Sequence, residues 1–491
     1  MAKRAFIIKT GVFLGMKQIF TDICVLGGGS GGLSVAAGAV QMGAKVVLVE
    51  AGLMGGDCLN YGCVPSKALL GAAHYAQSMR DGAAFGIQPV EPTVDMAAVA
   101  DHIAETIAAI APHDSVERFE SLGVKVIQAK GKFVAPRQLE AGEYRISAKY
   151  FVIATGSTAA IPPISGLDEV EYFTNETLFS NREFLPELLV LGGGPIGMEM
   201  AQAYRRLGSK VTVIQRSRCF ANDNADCAAI VQAKLLEEGV DIRENHHVCR
   251  ISRDDTGRLQ ITAEHEGEEV LLSGSHLIVA TGRRPVLDSL GLDAAGIAYS
   301  SKGISVDARL RTSDRRVFAI GDVIGGLQFT HAAGYHAGIV IRNILFRLPA
   351  KVQNRAIPWV TYTDPELAHV GESFDAAQKR LGKAAVMVTE TTFSGNDRAI
   401  AERTTEGKIK VITDKRGYIL GVDIVGTHAG ELILPWQALI GKKQKISAMA
   451  ATIAPYPTRS EISKRVAGQY FTPKLFSERT RKIIRLLLKL P

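Results

Sequence analysis

Short β-branched and apolar runs punctuate the first two thirds of the chain: DICVL at 22–26, VVLV at 46–49, FVIATG at 151–156, LLVL at 188–191, VTVI at 211–214, LIVATG at 277–282 and VFAIGD at 317–322. Each reads as a strand, and Ala-rich stretches of helical character follow several of them. The runs at 151–156, 277–282 and 317–322 reach Gly156, Gly282 and Gly321. A strand that runs into glycine marks a place where the backbone passes close to something else. From about 356 the pattern changes. Strands at 360–363, 408–413 and 419–426 alternate with helical segments and carry no nucleotide-type turn, which predicts a separate α+β domain.

Two of the strand–helix–strand passages are copies of one another. Val25-Leu26-Gly27-Gly28-Gly29 returns as Val190-Leu191-Gly192-Gly193-Gly194, Gly32 returns as Gly197, Gly43 as Gly208 and Lys45 as Lys210. Each copy is strand, G-x-G-x-x-G turn, helix, strand, which is a dinucleotide-binding βαβ unit. Gly27 and Gly192 permit the tight turn, Gly29 and Gly194 let a pyrophosphate approach the backbone, and Gly32 and Gly197 let helix and strand close up. The phosphates then rest on amides at a helix N-terminus. One such turn is weak evidence, but two in matching context predict two Rossmann-like domains, so the fold class is α/β with a C-terminal α+β domain.

Composition narrows the class. Hydrophobic residues make up 46% and charged residues 22% of 491, which excludes wholesale disorder. Six cysteines exclude a disulfide-stapled secreted scaffold. No apolar run reaches the ~18 residues that a membrane-spanning helix needs. The formal charge of +7 belongs to the ends. Lys3, Arg4, Lys9 and Lys17 lie in the first twenty residues with no acid, and Lys474, Arg479, Arg481, Lys482, Arg485 and Lys489 lie in 472–491 against Glu478. The body between them is close to neutral, which argues against nucleic acid as a partner. Residues 1–15 fit a secretory signal poorly and read as an extension before Met16, so the expected location is the cytoplasm.

The densest chemistry follows the first nucleotide unit: Gly55-Gly56-Asp57-Cys58-Leu59-Asn60-Tyr61-Gly62-Cys63-Val64-Pro65-Ser66-Lys67. Two cysteines five apart at the start of a helical stretch can form an intrachain disulfide if the turn bends at Gly62, and a helix N-terminus lowers a thiol's pKa. Lys67 falls one turn beyond Cys63 on the same face. Two structural thiols are the plain alternative. A zinc site would want a second Cys pair, which is missing.

This segment resembles the redox-disulfide segment of the FAD-dependent pyridine nucleotide–disulfide oxidoreductases, a family that includes dihydrolipoamide dehydrogenase, glutathione reductase and mercuric reductase. The likeness runs over about 20–470, in the same order of motifs. It implies FAD on the first unit, a nicotinamide cofactor on the second, and electron transfer through the flavin to a disulfide and on to a thiol, disulfide or metal-ion acceptor. By position, Gly27, Gly29 and Gly32 would cradle the FAD pyrophosphate, Glu50 would bind the adenosine ribose and Asp322 the ribityl chain. Cys63 would face the flavin, Cys58 would meet the substrate, and Lys67 would sit near the flavin paired with Glu199. The likeness also implies a homodimer in which Tyr456 and Glu461 complete the partner's site. The domains expected on this basis are 16–158 with 284–355 for FAD, 159–283 for NAD(P)H, 356–471 for dimerisation and 472–491 as a basic amphipathic tail.

Three departures refine the expectation. Tyr456 stands where the family's usual catalytic His precedes Pro, a substitution that looks like mercuric reductase. No cysteine follows Cys249, whereas mercuric reductase ends in a vicinal pair. Gln215 ends the second unit where Glu50 ends the first, and Arg216 and Arg218 follow it. A ribose-binding acid is thus replaced by a neutral amide beside two guanidinium groups, which suits the 2′-phosphate of NADPH over NADH. A quinone reductase or diaphorase, a lipoamide-type enzyme, and a redox-sensing adaptor that binds partners through its basic tail are the alternative readings. The tail itself reads first as a last helix packed on its own dimer, and otherwise as a dock for an anionic membrane or a partner protein.

Overall fold

The computed structural model describes residues 16–490; the extension expected over 1–15 lies outside the described residues. The chain forms two compact units. One comprises the residues up to Cys58, Ile110–Thr158 and Arg284–Val352, and the other comprises Leu59–Ala109, Ala159–Arg283 and the residues from Gln353 onward. The excursion Leu59–Ala109, which the sequence pattern groups with the first nucleotide domain, therefore belongs to the second unit.

In the first unit the strand Lys17–Leu26 lies between two parallel neighbours, Val46–Glu50 and Tyr144–Ile153. Lys125–Gln128 extends the sheet beyond Val46–Glu50, and Val317–Ala319 lies along Tyr144–Ile153. A central parallel strand is covered on both faces, which is why DICVL has no polar alternation after Asp22. Its side chains still divide with a period of two. Ile23 and Val25 join Val46, Leu48 and Val152 on one face, and Cys24 and Leu26 join Val47, Val49, Phe133 and Phe151 on the other. The helix Ser30–Gln41 covers the first face and lies close to the helix Thr330–Ile344. A Cβ on Gly38 would stand 2.5 Å from Ile341 Cδ1, so a larger residue there would make the end of the Ile341 side chain turn aside.

The second unit repeats the plan. Its parallel sheet runs in the order Asp241–Arg243, Lys210–Ile214, Glu187–Leu191, His276–Val279. Val190 and Val213 face a core shared with Met198, Ala201 and Val231, while Leu189, Leu191 and Ile214 face a three-stranded antiparallel sheet through Ile261 and Ala263. The helix Cys63–Arg80 places Ala68, Leu69 and Ala73 in the core that contains Met198 and Met200. Beyond Gln353, an antiparallel sheet takes the order Trp359–Thr361, Glu366–Gly371, Ile419–Gly426, Lys408–Asp414, Val386–Thr392. It closes over Phe393, Trp436 and Val466.

Candidate functional site

The two fingerprint turns share one backbone solution. A Cβ on Gly27 would stand 2.2 Å from the carbonyl oxygen of Ala154, and one on Gly192 2.4 Å from that of Ala280. The FVIATG and LIVATG strands are what the glycines approach. Gly32 and Gly197 each sit with the Cβ position 1.9 Å from the carbonyl oxygen of the first glycine of their own turn. The middle glycines are different. Gly194 faces open space and Gly29 meets only Gly56 Cα at 3.8 Å, at the N-termini of the helices Ser30–Gln41 and Pro195–Arg206. Both turns therefore leave space at a helix N-terminus, and the residues fit the pyrophosphates of two dinucleotides.

The residues that end each second strand are also equivalent. Glu50 Oε2 accepts from the Gly28 amide and Oε1 from Gly52 N at 2.6 Å. Gln215 Oε1 accepts from Gly193 N at 2.9 Å, and its Nε2 donates to Ser217 Oγ at 3.1 Å. The same bond to the middle residue of the turn is made with a charge in one copy and without it in the other. Arg216 and Arg218 differ from each other. Arg216 is exposed. Arg218 folds back, its Nη2 donating to the carbonyls of Ala221 and Asp223 at 3.0 Å each, and its Nη1 is buried with no hydrogen-bond partner among the described residues.

Elsewhere in the first unit, Ser157 Oγ donates to Asp322 Oδ2 at 2.6 Å, which orients that carboxylate beside Gly156 and Gly321. His336, buried and held neutral by burial, accepts from Gly321 N through Nδ1 at 3.3 Å. Gly56, at φ +61°, packs its Cα against Gly29, so the short helix Gly56–Asn60 that carries half-buried Cys58 springs directly from the fingerprint turn.

In the second unit, Cys63 is exposed at the first position of the helix Cys63–Arg80. The orphan amides there favour a thiolate. One turn on, Lys67 Nζ lies 2.9 Å from Glu199 Oε2, with side-chain exposures of 38% and 6%. The other oxygen of Glu199 accepts from Tyr362 N at 2.9 Å, and the Tyr362 ring lies 4.2 Å from Lys67 Nζ. Burial first, then the charges of Glu366, Glu199 and Cys63, raise the Tyr362 pKa above its ordinary value. Lys67 is thus fixed from two sides, by a buried carboxylate and an aromatic face.

Tyr456 is 71% exposed, and its hydroxyl donates to Asp397 Oδ2 at 3.0 Å. The hydrogen bond and the charge of Asp397 raise its pKa, so the phenol keeps its proton at neutral pH. Glu461 opens the helix Glu461–Gln469, with Oε2 3.4 Å from Thr458 N. Gly282, at φ +135°, ends its strand in open space. Ser157, His336, Tyr362 and Asp397 escaped the sequence reading. Each is joined to a motif residue by the fold and lies far from it in the chain, so no local pattern marks it.

Two parallel-sheet dinucleotide-type units and two cysteines, each in the first turn of its own helix, fit a redox enzyme that takes two nucleotides. The chain matches the family profile of the pyridine nucleotide-disulphide oxidoreductases over residues 21–337 and that family's dimerisation domain over 357–467. It is 32% identical to a mercuric reductase of Bacillus cereus over 90% of this chain and 70% of that protein. It is 31% identical to a dihydrolipoyl dehydrogenase of Bacillus subtilis (strain 168) over 89% of this chain and 96% of that protein. Among solved structures, the Cu(II) complex of the HOCl-induced flavoprotein disulfide reductase RclA from Escherichia coli superposes with a TM-score of 0.81 at 26% identity, covering 91% of this chain and 99% of that one. The chain belongs to the pyridine nucleotide–disulfide oxidoreductases and is an FAD-dependent NAD(P)H disulfide oxidoreductase. Its dimerisation domain implies a homodimer. No helix among the described residues is long and apolar enough to cross a membrane.

Proposed function

We propose that this enzyme draws electrons from NADPH in preference to NADH and passes them to a Cys58–Cys63 couple, which reduces a thiol-reactive acceptor, either a disulfide or a thiophilic metal ion, in the cytoplasm. The observation that carries the donor preference is Gln215, which makes Glu50's bond to the glycine turn without Glu50's charge. Exposed Arg216 beside it supplies the cation for a 2′-phosphate. FAD belongs on the Gly27–Gly32 turn, with Glu50 and Asp322 for its ribose and ribityl hydroxyls, and supplies a two-electron relay when bound. NADPH belongs on the Gly192–Gly197 turn.

In this reading Cys63 is kept anionic by the helix amides above it, and Cys58 exchanges with the acceptor. Lys67 holds its cation at a fixed place through Glu199 and Tyr362. Tyr456 turns its one O–H from Asp397 to donate a hydrogen bond to the departing thiolate of a substrate bound against the partner subunit, and the proton stays on the phenol. The functional domains in this reading are 16–158 with 284–355 for FAD, 159–283 for NADPH and 356–471 for dimerisation, with Leu59–Ala109 assigned to the FAD domain by function although it packs in the second unit.

The test is anaerobic reduction of the pure protein with NADPH, followed by a screen of Hg(II), lipoamide, glutathione disulfide and quinones in the unmodified protein and in Cys58→Ser and Cys63→Ser. Loss of turnover with a disulfide or metal ion in both variants, with reduction by NADPH retained, supports the assignment. An acceptor turned over equally well without either cysteine overturns it in favour of a diaphorase.

A further inference from the structure

We infer that the C-terminal helix is a membrane-surface anchor that lies flat on a bilayer rich in anionic lipid. The helix Glu478–Leu487 has no buried residue. At 100° per residue, Ile483, Ile484 and Leu487 fall on one side of the helix and Arg481, Lys482 and Arg485 on the opposite side, with Arg479 and Leu486 together at one border; Leu488, Lys489 and Leu490 follow the helix end. Leu488 is 80% exposed, and Leu475 and Phe476 continue the apolar surface just before the helix. The apolar arc spans about half the circumference, wider than the two-in-seven seam through which helices pair.

Charge decides among the occupants. The whole chain carries 57 basic against 50 acidic residues, yet this helix and the Lys489 that follows it hold Arg479, Arg481, Lys482, Arg485 and Lys489 against Glu478 alone. Its one ion pair among the described residues is Arg481 to Glu478 at 3.3 Å. Pairing with the same helix of a second copy would set two rows of like charge along both edges of the contact. A layer of acidic headgroups accepts the cations on both flanks while the apolar arc sinks among the acyl chains, with the long Lys and Arg stems reaching back to the surface. The helix is also far shorter than the ~20 residues needed to span, so it lies in the plane.

The experiment is flotation of the full-length, FAD-loaded protein with vesicles of phosphatidylcholine containing 30% phosphatidylglycerol, against vesicles of phosphatidylcholine alone. The expected result is partition onto the anionic vesicles that falls about tenfold or more in Lys482→Gln with Arg485→Gln, and that is lost in Ile484→Asp with Leu487→Asp, while NADPH oxidation in solution is unchanged. Absence of binding to anionic vesicles overturns the inference, as does equal binding by both double variants. Dissociation of the Ile484→Asp, Leu487→Asp protein to monomers in light scattering also overturns it, by making the second copy the occupant. Flotation reads no turnover, so its outcome is separate from that of the NADPH assignment.

Discussion

Changing Gln215 to Glu together with Arg216 to Ala should turn the enzyme from NADPH toward NADH. The structure makes this a clean perturbation. A glutamate at 215 keeps the acceptor for Gly193 N at 2.9 Å, and Ser217 Oγ can turn to donate to the second carboxylate oxygen. That is the arrangement Glu50 already holds between Gly28 and Gly52, so the fold should be nearly indifferent. Arg216 is exposed, whereas Arg218 holds the carbonyls of Ala221 and Asp223, so removal of Arg218 would loosen the loop and confound the result.

The magnitude follows from the charges. A carboxylate about 5 Å from a doubly charged phosphate in a solvated loop costs about 1–2 kcal/mol. Loss of one exposed charge-assisted contact costs about 0.5–1 kcal/mol after screening. Together they predict a fall of roughly 10- to 150-fold in kcat/KM for NADPH. The NADH value should rise several-fold, because a carboxylate can then accept from the ribose diol. The assay is steady-state oxidation of each nucleotide with one fixed acceptor. An unchanged NADPH-to-NADH ratio in the double variant, or equal efficiencies in the unmodified enzyme, would refute the reasoning.

Glu199→Gln should retain the bond to Tyr362 N but lose the ion pair to Lys67, destabilising the protein by about 1–2 kcal/mol because the lysine end is partly solvated; urea denaturation within about 0.3 kcal/mol of the unmodified protein would contradict the pair's importance. Tyr456→Phe should lower turnover of a disulfide or metal acceptor while leaving reduction by NADPH intact in stopped-flow measurement, and Asp397→Asn should give a milder version of the same split. In the buried His369–Asp423 pair, both ring nitrogens face acceptors, Asp423 Oδ1 at 2.6 Å and the Gly371 carbonyl at 3.1 Å, so the imidazolium is favoured and its pKa is raised despite burial. The stability it adds is full below the unfolded value near 6.5 and is lost as pH rises through the folded value. The unmodified protein should therefore lose more Tm between pH 6 and pH 9 than His369→Asn does, and parallel losses would count against the charged pair.

Much of the fold was legible because glycine spacing encodes a steric requirement. Only a residue without Cβ fits where Gly27 meets Ala154 and Gly192 meets Ala280, so the repeat announces itself. The glycines that end FVIATG and LIVATG read as close approaches, but a Cβ on Gly156 or Gly282 would meet nothing within 4 Å; the close approach falls two residues earlier, at Ala154 and Ala280, and is required of Gly27 and Gly192 instead. Lys67 and Glu199 were paired only through family likeness, since nothing near either residue names the other. The place of Leu59–Ala109 was misleading for a related reason. Its helix has an apolar stripe that would suit either unit, and only packing against Met198 and Met200 decides. The two arginines after Gln215 look alike in sequence, and the structure separates an exposed one from one folded into its own loop.

The duplication separates what binding needs from what selectivity needs. Both turns clear the same backbone space and expose the same helix N-terminus, so affinity for a pyrophosphate is a property of the glycines and is common to the two units. The residue that ends the second strand braces that turn in both units, yet its outer surface is free to vary in charge. Because the brace is a hydrogen bond to oxygen, Glu and Gln serve it equally, and the choice between them is left to the ribose end of the ligand. If the proposed reading holds, a change at 215 alone should alter which nucleotide is preferred without disturbing the turn. On that reading Arg218 is the weaker candidate for the 2′-phosphate. Its Nη2 is already committed to the loop, which leaves exposed Arg216 as the group whose charge a 2′-phosphate can claim.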